Sequence, residues 1–155
     1  MLVETEIEAK IVTAISAALK GVDVTTIGAR QVAAAGLVKG ETDVTTRGIV
    51  AVSLGFRTND AFSLSPISID GSVAITTTLE SDATGELNEK AMEAIANLFQ
   101  KWHDFPQASQ VALSTSAFTF GEFRLSGGPG KTFNDTRSAW VESISFTIRG
   151  ALLKG

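Results

Sequence analysis

The chain has 155 residues, of which 44% are hydrophobic and 19% charged, a balance that suits one globular domain with a sizeable core and excludes a disordered polar chain. Cysteine and tyrosine are absent and there is one histidine, which removes disulfides, thiolate nucleophiles and cysteine-based metal sites and thins the usual acid–base inventory. A net charge of −4 argues against a general phosphate-binding surface, so sequence-specific nucleic-acid binding is not expected.

No apolar run approaches the about 20 residues that span a bilayer, and no membrane partner is expected. The start, Met1-Leu2-Val3-Glu4, lacks a basic region and is followed by Glu6 and Glu8, so we expect no secretory signal.

Periodicity predicts a first helix over residues 4–20. Ile7, Ile11, Ala14, Ile15, Ala18 and Leu19 recur at offsets of three and four and form one apolar stripe. Thr5 and Glu8 have capping-box spacing, Glu6 and Lys10 form an (i, i+4) pair, and Gly21 stands where a left-handed cap belongs.

Strands are expected within 22–79. Val22 to Ile27 is β-branched and roughly alternating. Residues 30–35 have no clear pattern, and Gly36 to Gly48 reads as a long mobile loop. From Ile49 to Arg57 the chain alternates, with Val50, Val52, Leu54 and Phe56 facing one way and Ala51, Ser53 and Arg57 the other. Asp70-Gly71, between Ile67 and Ile75, is a hairpin signal whose register stays open between a two-residue and a three-residue loop.

A second helix is expected over 84–103, starting near Asp82 or Thr84. Leu87, Ala91, Ile95, Leu98 and Trp102 are its stripe, Glu86 and Lys90 pair outside, and Pro106 stops it. Strands return within 110–150. Val111, Leu113 and Thr115 alternate, Phe118 and Phe120 follow, and Trp140, Ile144, Phe146 and Ile148 alternate with Val141, Ser143, Ser145 and Thr147. The order implies a single α+β domain: a mostly antiparallel sheet packed against two amphipathic helices, with long Gly/Thr/Ser-rich loops.

Few motifs suggest chemistry. Ser126 to Thr132 ends in Gly-Lys-Thr like a phosphate-binding loop. However, Leu125 stands where the pattern needs glycine, and the residues after Thr132 are turn-like rather than helical. A flexible hairpin loop is the favoured reading, with a small nucleotide-binding domain using Lys131 and Thr132 as the alternative. His103-Asp104 at a helix end is read as a favourable charge at the dipole or a solvated pair. Glu4, Glu6 and Glu8, and Glu86, Glu89 and Glu93, are read as solvated helix faces. No G-x-S-x-G elbow exists. Phe118, Phe120 and Phe123 beside Arg124 fit a core strand better than a base-stacking surface. We therefore expect no enzyme, no cofactor and no metal. Thr76-Thr77-Thr78 is expected near a sheet edge that a neighbouring subunit covers.

Several segments together carry a resemblance. They are the helix through Ile11-Val12-Thr13-Ala14-Ile15, the strand from Ile49 to Arg57, and Val73-Ala74-Ile75-Thr76 running into Glu80-Ser81-Asp82 and the helix through Ala91, Ile95 and Leu98. The last is the closing strand from Ala139 to Ile148. In order and spacing this is similar to the tail terminator proteins of long-tailed bacteriophages, over most of the chain and by pattern rather than by a signature motif. The resemblance implies a virion subunit, assembled in the host cytoplasm, that forms a hexameric ring on the tail tube protein. Such a ring ends tube polymerisation and offers a surface to a head–tail connector or neck protein. The Gly36–Gly48 insertion and the Gly-rich late loop depart from shorter members and leave room for another neck, tube or baseplate component. By our own inference the partner-contacting residues lie in those two loops: Lys39, Glu41, Asp43 and Arg47, and Lys131, Asn134 and Asp135. A dimeric adaptor domain is a further alternative.

Overall fold

The computed structural model describes residues 3–28, 47–58, 67–105, 107, 112–114, 118–134 and 139–152. The alternating apolar residues do form strands, and their inward faces define the architecture. Helix α1 (Val3–Ala18) is followed by β1 (Val24–Gly28), β2 (Gly48–Thr58) and β3 (Ile67–Thr78), then α2 (Glu86–Asp104), β4 (Phe118–Asn134) and β5 (Ala139–Leu152). The five strands form one sheet in the order β1-β2-β3-β5-β4. Only the β1–β2 pair is parallel; β2–β3, β3–β5 and β4–β5 are antiparallel. The fold is therefore α+β with a mostly antiparallel sheet, as the element order implied.

Both helices lie on one face of the sheet. Helix α1 covers β1 and β2, α2 covers β3, β5 and β4, and the helices touch each other. Register explains how one core forms. Val50 opposes Ile75, Val52 opposes Val73, Val73 opposes Ile144, and Ile69 opposes Ile148, so apolar residues stack on one another across the inner face of the three central strands. Ile7, Ile11 and Ile15 of α1 and Ala91, Ile95 and Phe99 of α2 close over them, all fully buried. Beneath α2, Phe99 packs at 5.6 Å from Trp102, 5.2 Å from Phe123 and 5.1 Å from Phe146, between ring centroids. Phe123 stacks on Phe146 at 5.2 Å. Each such pair contributes about 0.5–1.5 kcal/mol beyond the area it buries.

Several expectations are corrected. Asp70-Gly71 is no hairpin, since β3 runs through it without a break. Gly71 is there for space: a Cβ would meet the Phe146 ring and come within 2.7 Å of Leu54 Cδ2. A flat glycine lets Phe146 lie across the strand, and that packing outweighs the local turn preference. Thr76-Thr77-Thr78 ends a central strand, flanked by β2 and β5, rather than lying at an edge. The late Gly-rich segment is likewise part of β4. The β4–β5 register shifts at Phe120/Glu122, Leu125/Gly127 and Gly127/Gly130, so the extra residues are absorbed as bulges. Pro129 is tolerable there because β4 is an edge strand. Ala112 and Leu113 are helical rather than extended, with Leu113 fully buried, so the alternation expected across 111–115 does not extend through them. Thr5 lies inside α1, which already runs from Val3, and so is not its cap; Ala18 is exposed. Gly21 has φ 88°, the left-handed cap expected of it.

Gly71→Ala is expected to destabilise the fold by about 1–3 kcal/mol through overpacking. Gly55→Ala, whose Cβ meets nothing within 4 Å, is expected to be neutral. Urea unfolding midpoints of the two variants check this contrast.

Candidate functional site

The residues expected to contact partners are only partly placed. Lys39, Glu41, Asp43 and Asp135 lie outside the described residues, as does most of the Gly36–Gly48 segment; Gly48 itself opens β2. Arg47 is exposed just before β2, with Nε 3.9 Å from Asp23 Oδ2. Both side chains are half exposed, so this contact contributes little. Lys131 and Asn134 are strand residues of β4, opposite Glu142 and Ala139 of β5. They do not lie in a hairpin loop. The Gly-Lys-Thr segment therefore runs in a ladder, where a phosphate-binding loop would open a helix.

The register brings Arg47 and Asn134 to the same end of the sheet. Asn134 and Thr78 both oppose Ala139, and Gly48, next to Arg47, opposes Thr77. Strands β3 and β5 intervene, so Arg47 and Asn134 are about 14 Å apart, three strand spacings. Lys131 lies three residues inward along β4 from Asn134, about 10 Å.

The sheet face turned away from the helices is small and polar. Ser53, Asp70, Ser72, Ser126, Ser145 and Thr147 line an open trough of about 570 Å³. Thr147 Oγ1 donates to Asp70 Oδ1 across the β3–β5 pair at 2.9 Å. His103 is exposed at the end of α2, its Nδ1 3.2 Å from Asp104 Oδ1, and Gln100 Nε2 donates to the same oxygen at 3.0 Å. Among the described residues no three acidic, histidine or cysteine side chains are grouped to hold a metal ion, and no helix there is long and apolar enough to cross a membrane.

Polar residues inside the core were missed by pattern reading. Glu86, Glu89 and Glu93 are exposed as expected, but Glu8 is buried, its carboxylate packed over Gly28 of β1. Glu142 and Asn88 are also buried, on inward positions. Their signal was positional. Asn88 falls on the stripe of Ala91 and Ile95, and Glu142 falls between Trp140 and Ile144 on the inward face of β5.

Asn88 belongs to a network that joins β3, α2 and β5. Asp82 Oδ1 accepts from the Leu87 N–H at 3.1 Å, and Oδ2 accepts from the Asn88 N–H at 3.0 Å and the Thr77 hydroxyl at 2.9 Å. Gly85, at φ 77°, turns the chain so that this carboxylate reaches the first-turn amides from three residues before the cap position. Asn88 Nδ2 in turn donates to the carbonyls of Ile75 and Trp140, each at 3.2 Å, on two neighbouring strands. Burial works to raise the Asp82 pKa, but the N–H groups of Asn88 and Leu87, the Thr77 hydroxyl and the charge of Arg47 together hold it below the usual value.

No protein-family model matches the sequence, and a search of curated proteins finds no significant match.

Because Asp82 binds its proton more weakly folded than unfolded, the unfolded chain takes up that proton first on acidification. Its stabilising contribution is complete above the unfolded value of about 3.9 and disappears as pH falls through the lower folded value. Asn88→Ala strips the two strand carbonyls of this donor and is expected to cost about 1–3 kcal/mol, read by thermal or urea unfolding at neutral pH.

Proposed function

We propose that the chain is a structural subunit of a bacteriophage tail, a tail-terminator-like protein that forms a ring of its own copies, most simply a hexamer. The ring sits on the end of the tail tube, stops its growth and presents a surface to the connector or neck on the head side. It belongs in the virion and assembles in the host cytoplasm. No catalytic step or cofactor is part of this role.

The observation that carries the reading is the grouping of Arg47 and Asn134 at one end of a one-sided sheet, with Lys131 about 10 Å further in along β4. A rigid sheet backed by two helices offers that end as a firm platform, and exposed Arg47 at its corner suits contact with a partner. The order helix, strands, helix, strands that underlies the resemblance supports it as well. The nucleotide-binding alternative gains no support from the placement of Lys131 and Thr132 within β4.

Mass photometry and negative-stain imaging of the purified chain test the reading. Rings that cap isolated tail tubes, with capping weakened by the combined Arg47→Ala and Asn134→Ala substitutions, are the expected result. A chain that stays monomeric at high concentration and ignores tail tubes would falsify it. Calorimetry with ATP and magnesium is expected to show no heat; a signal abolished by Lys131→Ala would favour the nucleotide reading instead.

A further inference from the structure

Helix α2 is held to the sheet by two anchors of different chemistry. Its second half is fixed by aromatic packing: Phe99 and Trp102 sit against Phe123 and Phe146, with ring centroids 5.1–5.4 Å apart across the helix–sheet boundary. None of these rings titrates. Its first turn is fixed by the carboxylate of Asp82 and the amide of Asn88, which tie Leu87 and Asn88 to Thr77, Ile75 and Trp140. Leu87, Ala91 and Met92 are the buried apolar residues near that end, and each is smaller than the rings at the other.

We propose that the Asp82–Asn88 cluster is an acid-released latch, which on protonation frees the first turns of α2 from the sheet while the aromatic half of the helix stays docked.

The mechanism is loss of an acceptor. Ionised, Asp82 receives three donors, two of them backbone N–H groups of the helix start. A proton on either oxygen turns an acceptor towards a donor, and the charge that favours a helix N-terminus is lost with it. The surrounding charges are few. Arg47, leading into β2, favours the ionised form, and Asp23 lies 3.9 Å from Arg47 on its far side. Helix α2 contributes Glu86 and Glu89 in its exposed first turn, the turn after β3 contributes exposed Glu80, and β5 contributes buried Glu142 on the inward face. Thr77 of β3 does not titrate.

Amide hydrogen exchange followed residue by residue tests the latch. Asp82→Asn places an NH2 group where donors converge and mimics the protonated state at neutral pH. It is expected to lower protection at Leu87, Asn88 and Glu89 by about tenfold or more, and to change Phe99 and Trp102 amides much less. In the unaltered chain the same asymmetry is expected as pH falls below the ordinary carboxylate value and through the lower value of folded Asp82, with the Trp102 environment retained in near-ultraviolet circular dichroism. Equal loss of protection at both ends, or no loss at Leu87 and Asn88, would overturn the proposal. Should Asp82→Asn fail to fold, Thr77→Val removes one donor to the same carboxylate. It is then expected to raise the pH at which the first turn opens, and an unchanged midpoint would equally overturn the latch.

Discussion

Two helices cover one face of a five-stranded sheet, and everything else in the molecule adjusts to that one-sidedness. Inward positions are mostly apolar and must fit one another, because close-packed interiors tolerate neither voids nor overlap. The demand is most acute where Phe146 crosses β3. The ring occupies space that any side chain at position 71 would need, and the same ring supports Phe99 and Phe123. One glycine in mid-strand therefore governs how α2 seats on β5 and β4. Among the described residues the outward positions include small and polar side chains such as Ser53, Asp70, Ser72 and Ser145.

What could be read in the sequence follows from this division. The alternation of Val50, Val52 and Leu54, and of Ile144, Phe146 and Ile148, is a direct imprint of a sheet buried on one side, and it placed β2 and β5 correctly. The isoleucine stripe of α1 was equally plain. Local turn chemistry misled where tertiary packing had another use for the residue. Asp70-Gly71 looks like a turn, but the glycine serves Phe146 from a distance of 75 positions along the chain. Ser126 to Gly130 looks like a loop, but an edge strand admits bulges and even a proline, since among the described strands its outer side pairs with none. Bulges also twist such an edge away from unwanted pairing. The buried polar residues escaped for the opposite reason: Glu8, Asn88 and Glu142 obey the inward period but break its chemistry, and only the three-dimensional arrangement shows what surrounds them.

The candidate contact residues were legible as types and not as positions. Arg47 could be assigned to a polar stretch by composition, but its shared end with Asn134 depends on β3 and β5 lying between them, a strand order that no local pattern encodes. The β4–β5 pairing, the one β4 makes among the described strands, likewise decides that Lys131 belongs to a ladder. On the proposed assembly reading, the sheet acts as a rigid frame, and the contact chemistry sits at the ends of strands where it can vary without disturbing the core.

The same end of the sheet also carries the start of α2, and the two are coupled electrostatically. Arg47 is among the groups that keep Asp82 ionised, while Asp82 holds Leu87 and Asn88. A partner that pairs with Arg47 withdraws part of that positive potential and makes Asp82 easier to protonate. By reciprocity, a chain whose Asp82 is already protonated leaves Arg47 freer to meet an anion. Both side chains of the Arg47–Asp23 contact are about half exposed, so the coupling is screened and modest at physiological salt. The effect is to raise the pH at which Asp82 takes up its proton, while Phe99 and Trp102, more than two helical turns from Leu87 along the helix, carry no group that responds. The fold thus separates a part that must stay fixed from a part that responds to charge, and both belong to a single helix.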